Sequence, residues 1–157
     1  MSASDPDAAG GLRTRAEGGR PLVLDPVRRK WVAHTPEEDV RQRLLLDLLA
    51  LGYPPGLLAV ERAVKYRGQT WRADVVAYGR DQRPALLAEC KAPGVRVGQA
   101  TFDQLARYNA VLGASSLVVD NGAERYCCVR EASGWRFVDA LPPFEGGTFE
   151  ERRGEEA

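Results

Sequence analysis

The chain has 157 residues, enough for one domain with a hydrophobic core and too few for a second large motor domain. Hydrophobic residues make up 44% and charged residues 28%, with no apolar run long enough to span a bilayer, so a water-soluble domain without a membrane segment is expected. The formal net charge is zero, yet Lys and Arg exceed Asp and Glu by 17 to 13 between Pro26 and Asp139, because the acidic surplus lies in the C-terminal FEERRGEEA. A mildly basic body is compatible with a phosphate-bearing partner without proving one.

The first 20 residues are rich in Gly, Ala, Ser and charge, lack apolar periodicity and carry no apolar signal segment. They are expected to form a disordered tail on a cytoplasmic protein, with residues 21–144 as the ordered domain and 145–157 as an acidic disordered tail. A helix should start at Thr35-Pro36-Glu37-Glu38, where Thr35 caps, Pro36 fits the first turn and Glu38 completes a capping box. Val40, Leu44, Leu48 and Leu51 form its apolar stripe, and Gly52 with Tyr-Pro-Pro-Gly stops it.

Three strands are expected at about 57–66, 70–78 and 84–92, separated by Arg67-Gly68-Gln69 and by the polar run Gly79–Arg83. A second helix covers about Gln99 to Leu112, with Phe102, Leu105, Tyr108 or Asn109, and Leu112 on one side. SSLVVD, a turn at Asn121-Gly122, RYCCVR and WRFVD complete the strands. Cys90, Cys127 and Cys128 form neither a CxxC pair nor an even disulfide set, and with His34 as the one histidine a structural zinc site is not expected. Cys90 and Cys127 read as small apolar core residues.

In the third strand, Leu86, Ala88 and Cys90 alternate with Glu89 and Lys91, so a core face and a charged face are predicted. Asp74 lies among Ala73, Val75, Val76 and Ala77 on the neighbouring strand, where a lone carboxylate is costly without a partner or a cation. Two carboxylates and a carbonyl, here Asp74, Glu89 and the backbone of Cys90, are a suitable set for Mg2+, with Mn2+ as a substitute. Phosphodiester hydrolysis needs such a cation to neutralise phosphate and to activate water. Lys91 would stand beside that water and stabilise charge developing on phosphate. A Glu-x-Lys triplet alone is weak evidence; its place on an apolar strand, 15 residues after Asp74, gives it weight.

The segments HTPEEDVRQRLLLDLLALGYPPGLLAVERAVKY, TWRADVVAY, LLAECKAP, TFDQLARYNAVLG and LVVDNGAERYCC resemble the N-terminal domain of type I restriction enzyme R subunits, within the PD-(D/E)XK nuclease superfamily. The resemblance covers about Asp25 to Phe144. It implies an α/β, restriction-endonuclease-like fold: a mixed central sheet flanked by helices, in the order α-β-β-β-α-β-β. It also implies that Asp74 is the motif's first acid, and that Glu89 and Lys91 are its Glu-x-Lys element. Gln104 and Tyr108 are similar to the Gln-x-x-x-Tyr motif, which supports the site or DNA. Glu38, or else Glu37, resembles the helix-one acid that often completes the metal site. Ala73 stands where the motif's name has Pro. R subunits attach this domain to a motor, and without a Gly-x-x-x-x-Gly-Lys-Ser/Thr loop no ATP site is expected here.

Other readings stand beside these. Asp74, Glu89 and Lys91 could form a salt bridge without catalysis, Glu38 could serve only as a cap, and Gln104, three residues after Thr101, could belong to a capping box. Arg41, Gln42 and Arg72 are candidate phosphate contacts, although such residues are commonly just solvated. His34 reads as a turn residue, and Trp31, Trp71 and Trp135 as packing rather than base-stacking residues. The leading expectation is Mg2+-dependent DNA cleavage. The rivals are a non-cleaving module that binds DNA or a motor or specificity subunit in another chain, and an RNA- or unusual-DNA-processing enzyme. A homodimer is left open.

Overall fold

A computed structural model describes residues 11–144. They form two sheets and two α-helices. The first sheet is antiparallel, in the order β1 (Thr14–Glu17), β2 (Arg20–Asp25) and β3 (Lys30–Ala33). Its β1 strand and the turn after it lie within the expected disordered tail and correct that expectation for residues 11–20; residues 1–10 lie outside the described residues. Gly18 and Gly19 both take positive φ, 57° and 76°, which is the geometry a two-residue hairpin needs, and Glu17 pairs directly with Arg20. Composition alone, Gly-, Ala- and charge-rich without apolar periodicity, hid that turn. The expected acidic tail, 145–157, lies outside the described residues.

Helix α1 (Pro36–Ala50) begins where the sequence places it: Thr35 Oγ1 accepts the Glu38 N–H at 3.1 Å, and Pro36 occupies the first turn. The other half of the predicted capping box does not form. The Thr35 N–H donates to the Ala33 carbonyl at 3.0 Å, leaving the Glu38 carboxylate for other partners. Val40, Leu44, Leu45 and Leu48 are buried, whereas Leu51, assigned to the stripe from its spacing, is exposed at the helix end.

The second sheet runs β4 (Leu58–Tyr66), β5 (Gln69–Tyr78), β6 (Pro84–Cys90), β7 (Ser116–Asp120), β8 (Arg125–Glu131) and β9 (Gly134–Val138), in that spatial order. Every neighbouring pair is antiparallel except β6 and β7. A parallel pair needs a crossover, and α2 (Gln99–Leu112) supplies it. The six-stranded sheet is covered on both faces. Leu44, Leu45 and Leu48 of α1 pack on Val75, Leu86 and Ala88, while Phe102 and Leu105 of α2 pack on Val76, Leu87 and Val119. The observed order is β-β-β-α-β-β-β-α-β-β-β: β9 is the strand expected at WRFVD, and the three strands before α1 were not expected. The three cysteines are unpaired and buried, Cys90 and Cys127 as expected for apolar packing and Cys128 likewise.

Candidate active site

β5 and β6 part company at the residues of interest. Their antiparallel ladder runs from Tyr78↔Pro84 to Val75↔Ala88, and one step beyond it the Cys90 N–H donates at 2.8 Å to Oδ2 of Asp74 rather than to a backbone carbonyl. On the other side of β5, the β4 ladder continues through Val60↔Val75 and Arg62↔Ala73 but omits Glu61, whose φ is +54°. Asp74 thus occupies a local break between two strands that are otherwise well paired. Such irregularities re-aim side chains.

The second Asp74 oxygen, Oδ1, accepts from Arg41 Nη2 at 2.9 Å. Arg41 also donates through Nη1 to Glu38 Oε2 at 2.6 Å. Arg28, in the β2–β3 turn, holds the remaining Glu38 oxygen at 2.8 Å and reaches Asp25 and Glu61 at 2.7 and 2.9 Å. Gln42 spans Asp25 and Glu38, at 2.9 and 3.1 Å. Asp25, fully buried, accepts the N–H groups of Val27 and Arg28 on its own turn, which aims the Arg28 guanidinium at α1.

Glu89 and Lys91 share one face of β6, with Nζ and Oε1 at 3.0 Å. Burial and the negative charge of Asp74 push Glu89 up to about 7, against the pull of Lys91. Lys91 is raised in turn, chiefly by its bond to Glu89. Glu89 also borders a narrow crevice shared with Trp71, Thr101, Gln104, Leu105 and Tyr108. Tyr108 stacks on Trp71 with ring centres 3.9 Å apart and planes within 5°, fixing α2 against β5 and placing Gln104 beside Glu89.

Asp74, Glu89, Lys91 and Gln104 are therefore brought together. Arg41 and Gln42, read from sequence as candidate phosphate contacts, are both buried; the Arg41 Nη groups and the Gln42 amide donate to Glu38, Asp74 and Asp25, and of their donors only the buried Arg41 Nε has no partner. Tyr108, also a candidate nucleic-acid contact, has its ring engaged by Trp71 and, edge-on, by Tyr66. Arg72 is exposed. Arg28, Asp25 and Glu61 went unrecognised in the sequence. Asp25-Pro26 signals a turn, but nothing local shows that the turn delivers an arginine to a helix and a distant strand.

The donor set fits a divalent cation in one specific respect. Six carboxylates, Asp25, Glu37, Glu38, Glu61, Asp74 and Glu89, meet three cations, Arg28, Arg41 and Lys91, so negative charge is in excess, and it is felt at Glu89, which the neighbouring Asp74 raises. Their oxygens are hard donors of the kind magnesium selects. Among the described residues, no group of three or more His, Cys, Asp or Glu side chains is placed to hold a metal, so any ligand set here is two carboxylates plus backbone oxygen and water.

A two-helix, mixed-sheet α/β domain with an acidic pair and a lysine at a strand break defines the class. The chain belongs to the family of type I restriction enzyme R protein N termini (HSDR_N), whose model matches residues 36–142. A solved fragment named as an HsdR subunit of a type I restriction enzyme from Vibrio vulnificus YJ016 has a similar fold, with TM-score 0.50 and 22% identity. The match covers 72% of this chain and 24% of that one, so this chain corresponds to about a quarter of its relative. No curated protein matches significantly.

Proposed function

We propose that this domain is a Mg2+-dependent DNA endonuclease of the PD-(D/E)XK type, with the restriction-endonuclease-like fold that the name implies. The observation that carries this reading is the under-neutralised Asp74–Glu89 pair beside Lys91, at the point where β5 and β6 separate. Asp74, Glu89 and the Cys90 carbonyl would hold the ion. Magnesium, when bound, supplies charge neutralisation at phosphate and makes water nucleophilic near neutral pH.

The remaining roles belong to the chain itself. Lys91 Nζ orients the attacking water and stabilises the negative charge that grows on phosphate. Gln104, which lines the same crevice as Glu89, is assigned a supporting role at the site. Arg41 holds the Asp74 carboxylate in place, and Glu38, bonded to Arg28, Arg41 and Gln42, anchors Arg41. Purified protein incubated with supercoiled, linear and single-stranded DNA should yield products with magnesium or manganese and none with chelator. Lys91→Ala should lose activity by about 100-fold or more. Cleavage undiminished in that variant removes the reading.

A second reading draws on the same geometry. Both Asp74 oxygens already have partners, Arg41 and the Cys90 N–H, as suits a module that binds DNA, or a motor or specificity subunit on another chain, without cutting. It expects DNA or subunit binding with no metal-dependent product.

A further inference from the structure

The outer half of the β4–β5 hairpin carries Arg62, Lys65, Arg67 and Arg72, and no Asp or Glu lies between residues 62 and 73. All four are exposed. Seven other cations among the described residues, Arg15, Arg28, Arg41, Arg43, Lys91, Arg125 and Arg136, each hold a carboxylate; these four hold none, and unlike the other unpaired cations they share one half-hairpin that carries no acid. Arg62 and Arg67 lie over the rings of Tyr78 and Tyr66 instead, contacts that leave guanidinium edges free to donate. In a chain of zero net charge, so local an excess of unpaired cations calls for an anionic partner.

Strand alternation fixes where these charges point. Val64, Trp71 and Ala73 pack in the cluster beneath α2, so Lys65, Thr70 and Arg72 face the opposite side, whereas Arg62, laddered to Ala73 and lying over Tyr78, is on the α2 side. Asp74 meets Arg41 of α1 there, and Lys65 sits opposite Thr70 in the ladder. At about 3.3 Å per residue, Arg72 lies about 7 Å, and Lys65 about 13 Å, outward from Asp74 along one open face. The Trp71–Tyr108 stack braces the other face against α2, so the hairpin is held as a stiff arm.

We propose that this arm is the surface that grips the phosphodiester backbone of duplex DNA and leads it to Asp74. The proposal rests on the nuclease reading for its choice of DNA, and assigns Lys65, Arg67 and Arg72 a phosphate-contact role that the buried Arg41 and Gln42 do not fill.

The test is binding without cleavage. Fluorescence anisotropy of a short labelled duplex, with chelator present and salt varied between about 50 and 200 mM, reads phosphate contacts through the slope of log K against log salt. Neutralising Lys65, Arg67 and Arg72 together to Ala should weaken binding at least about tenfold and lower that slope by about 2 to 3. Neutralising Arg13, Arg20 and Lys30 on the N-terminal sheet, likewise exposed and without a carboxylate partner among the described residues, should change neither. Absence of duplex binding by the unaltered protein, an unchanged slope in the hairpin variant, or an equal loss in the control variant overturns the proposal. Tighter binding to an RNA duplex of the same sequence overturns the choice of DNA. Because cleavage plays no part in the readout, an inactive protein that still shows the hairpin-dependent slope sinks the nuclease reading and leaves the arm standing.

Discussion

Glu89 is a carboxylate held where its charge is poorly tolerated, flanked by Asp74 and Lys91 and partly withdrawn from water. Its proton affinity in the folded protein, about 7, exceeds the ordinary 4.5, so the native state binds that proton more tightly than the unfolded chain. The resulting stabilisation is fully present below about pH 4.5 and is lost as pH rises through 7. A shift of this size corresponds to a loss on the order of 3 kcal/mol. Denaturant titrations of the metal-free protein between pH 5 and 8 should show that decline. Glu89→Gln, which stays neutral throughout, should flatten it, and parallel pH curves for the two proteins would refute the assignment. Added Mg2+ should also flatten the decline in the unaltered chain, because a cation favours the ionised pair.

At the level of elements, the helices and the six main strands were legible because each carries a strong local pattern: a Thr-Pro start, alternating apolar residues, and Gly-containing stops. β1 to β3 were not. Four to six residues each, with mixed exposure, they form by pairing around Gly18-Gly19 and around the Asp25–Arg28 turn, and short strands have little periodicity to read. The glycine turn can be tested directly. Gly18→Val and Gly19→Val force a branched side chain into positive φ and should each cost about 1–2 kcal/mol in denaturant unfolding. Gly18→Asn, which tolerates that geometry, should cost much less. Equal penalties for all three would mean that the hairpin contributes little.

For the molecule as a whole, the candidate site was half visible. Asp74, Glu89 and Lys91 stood out as charges on apolar strands, an anomaly the sequence displays directly. The guanidinium network around them depends on residues up to 33 positions apart and on a sheet that carries no motif, so it emerges only in three dimensions. Arg28 joins the N-terminal sheet to α1 and β4 in one stroke. Arg28→Ala would strand Asp25 and Glu38 with part of their charge uncompensated, and should lower stability by about 3 kcal/mol. A midpoint shift in chemical denaturation reports it; an unchanged midpoint would show the network to be ornamental.

The family match starts at Pro36, but the scaffolding of the acids does not. A chain trimmed to that boundary would keep every motif residue while losing the Thr35 cap and the clamp on Glu38. It would also open to solvent the flank of α1 where Gln42 now lies fully enclosed. Inactivity of such a fragment would speak to its missing buttress and say nothing about the chemistry of the intact domain.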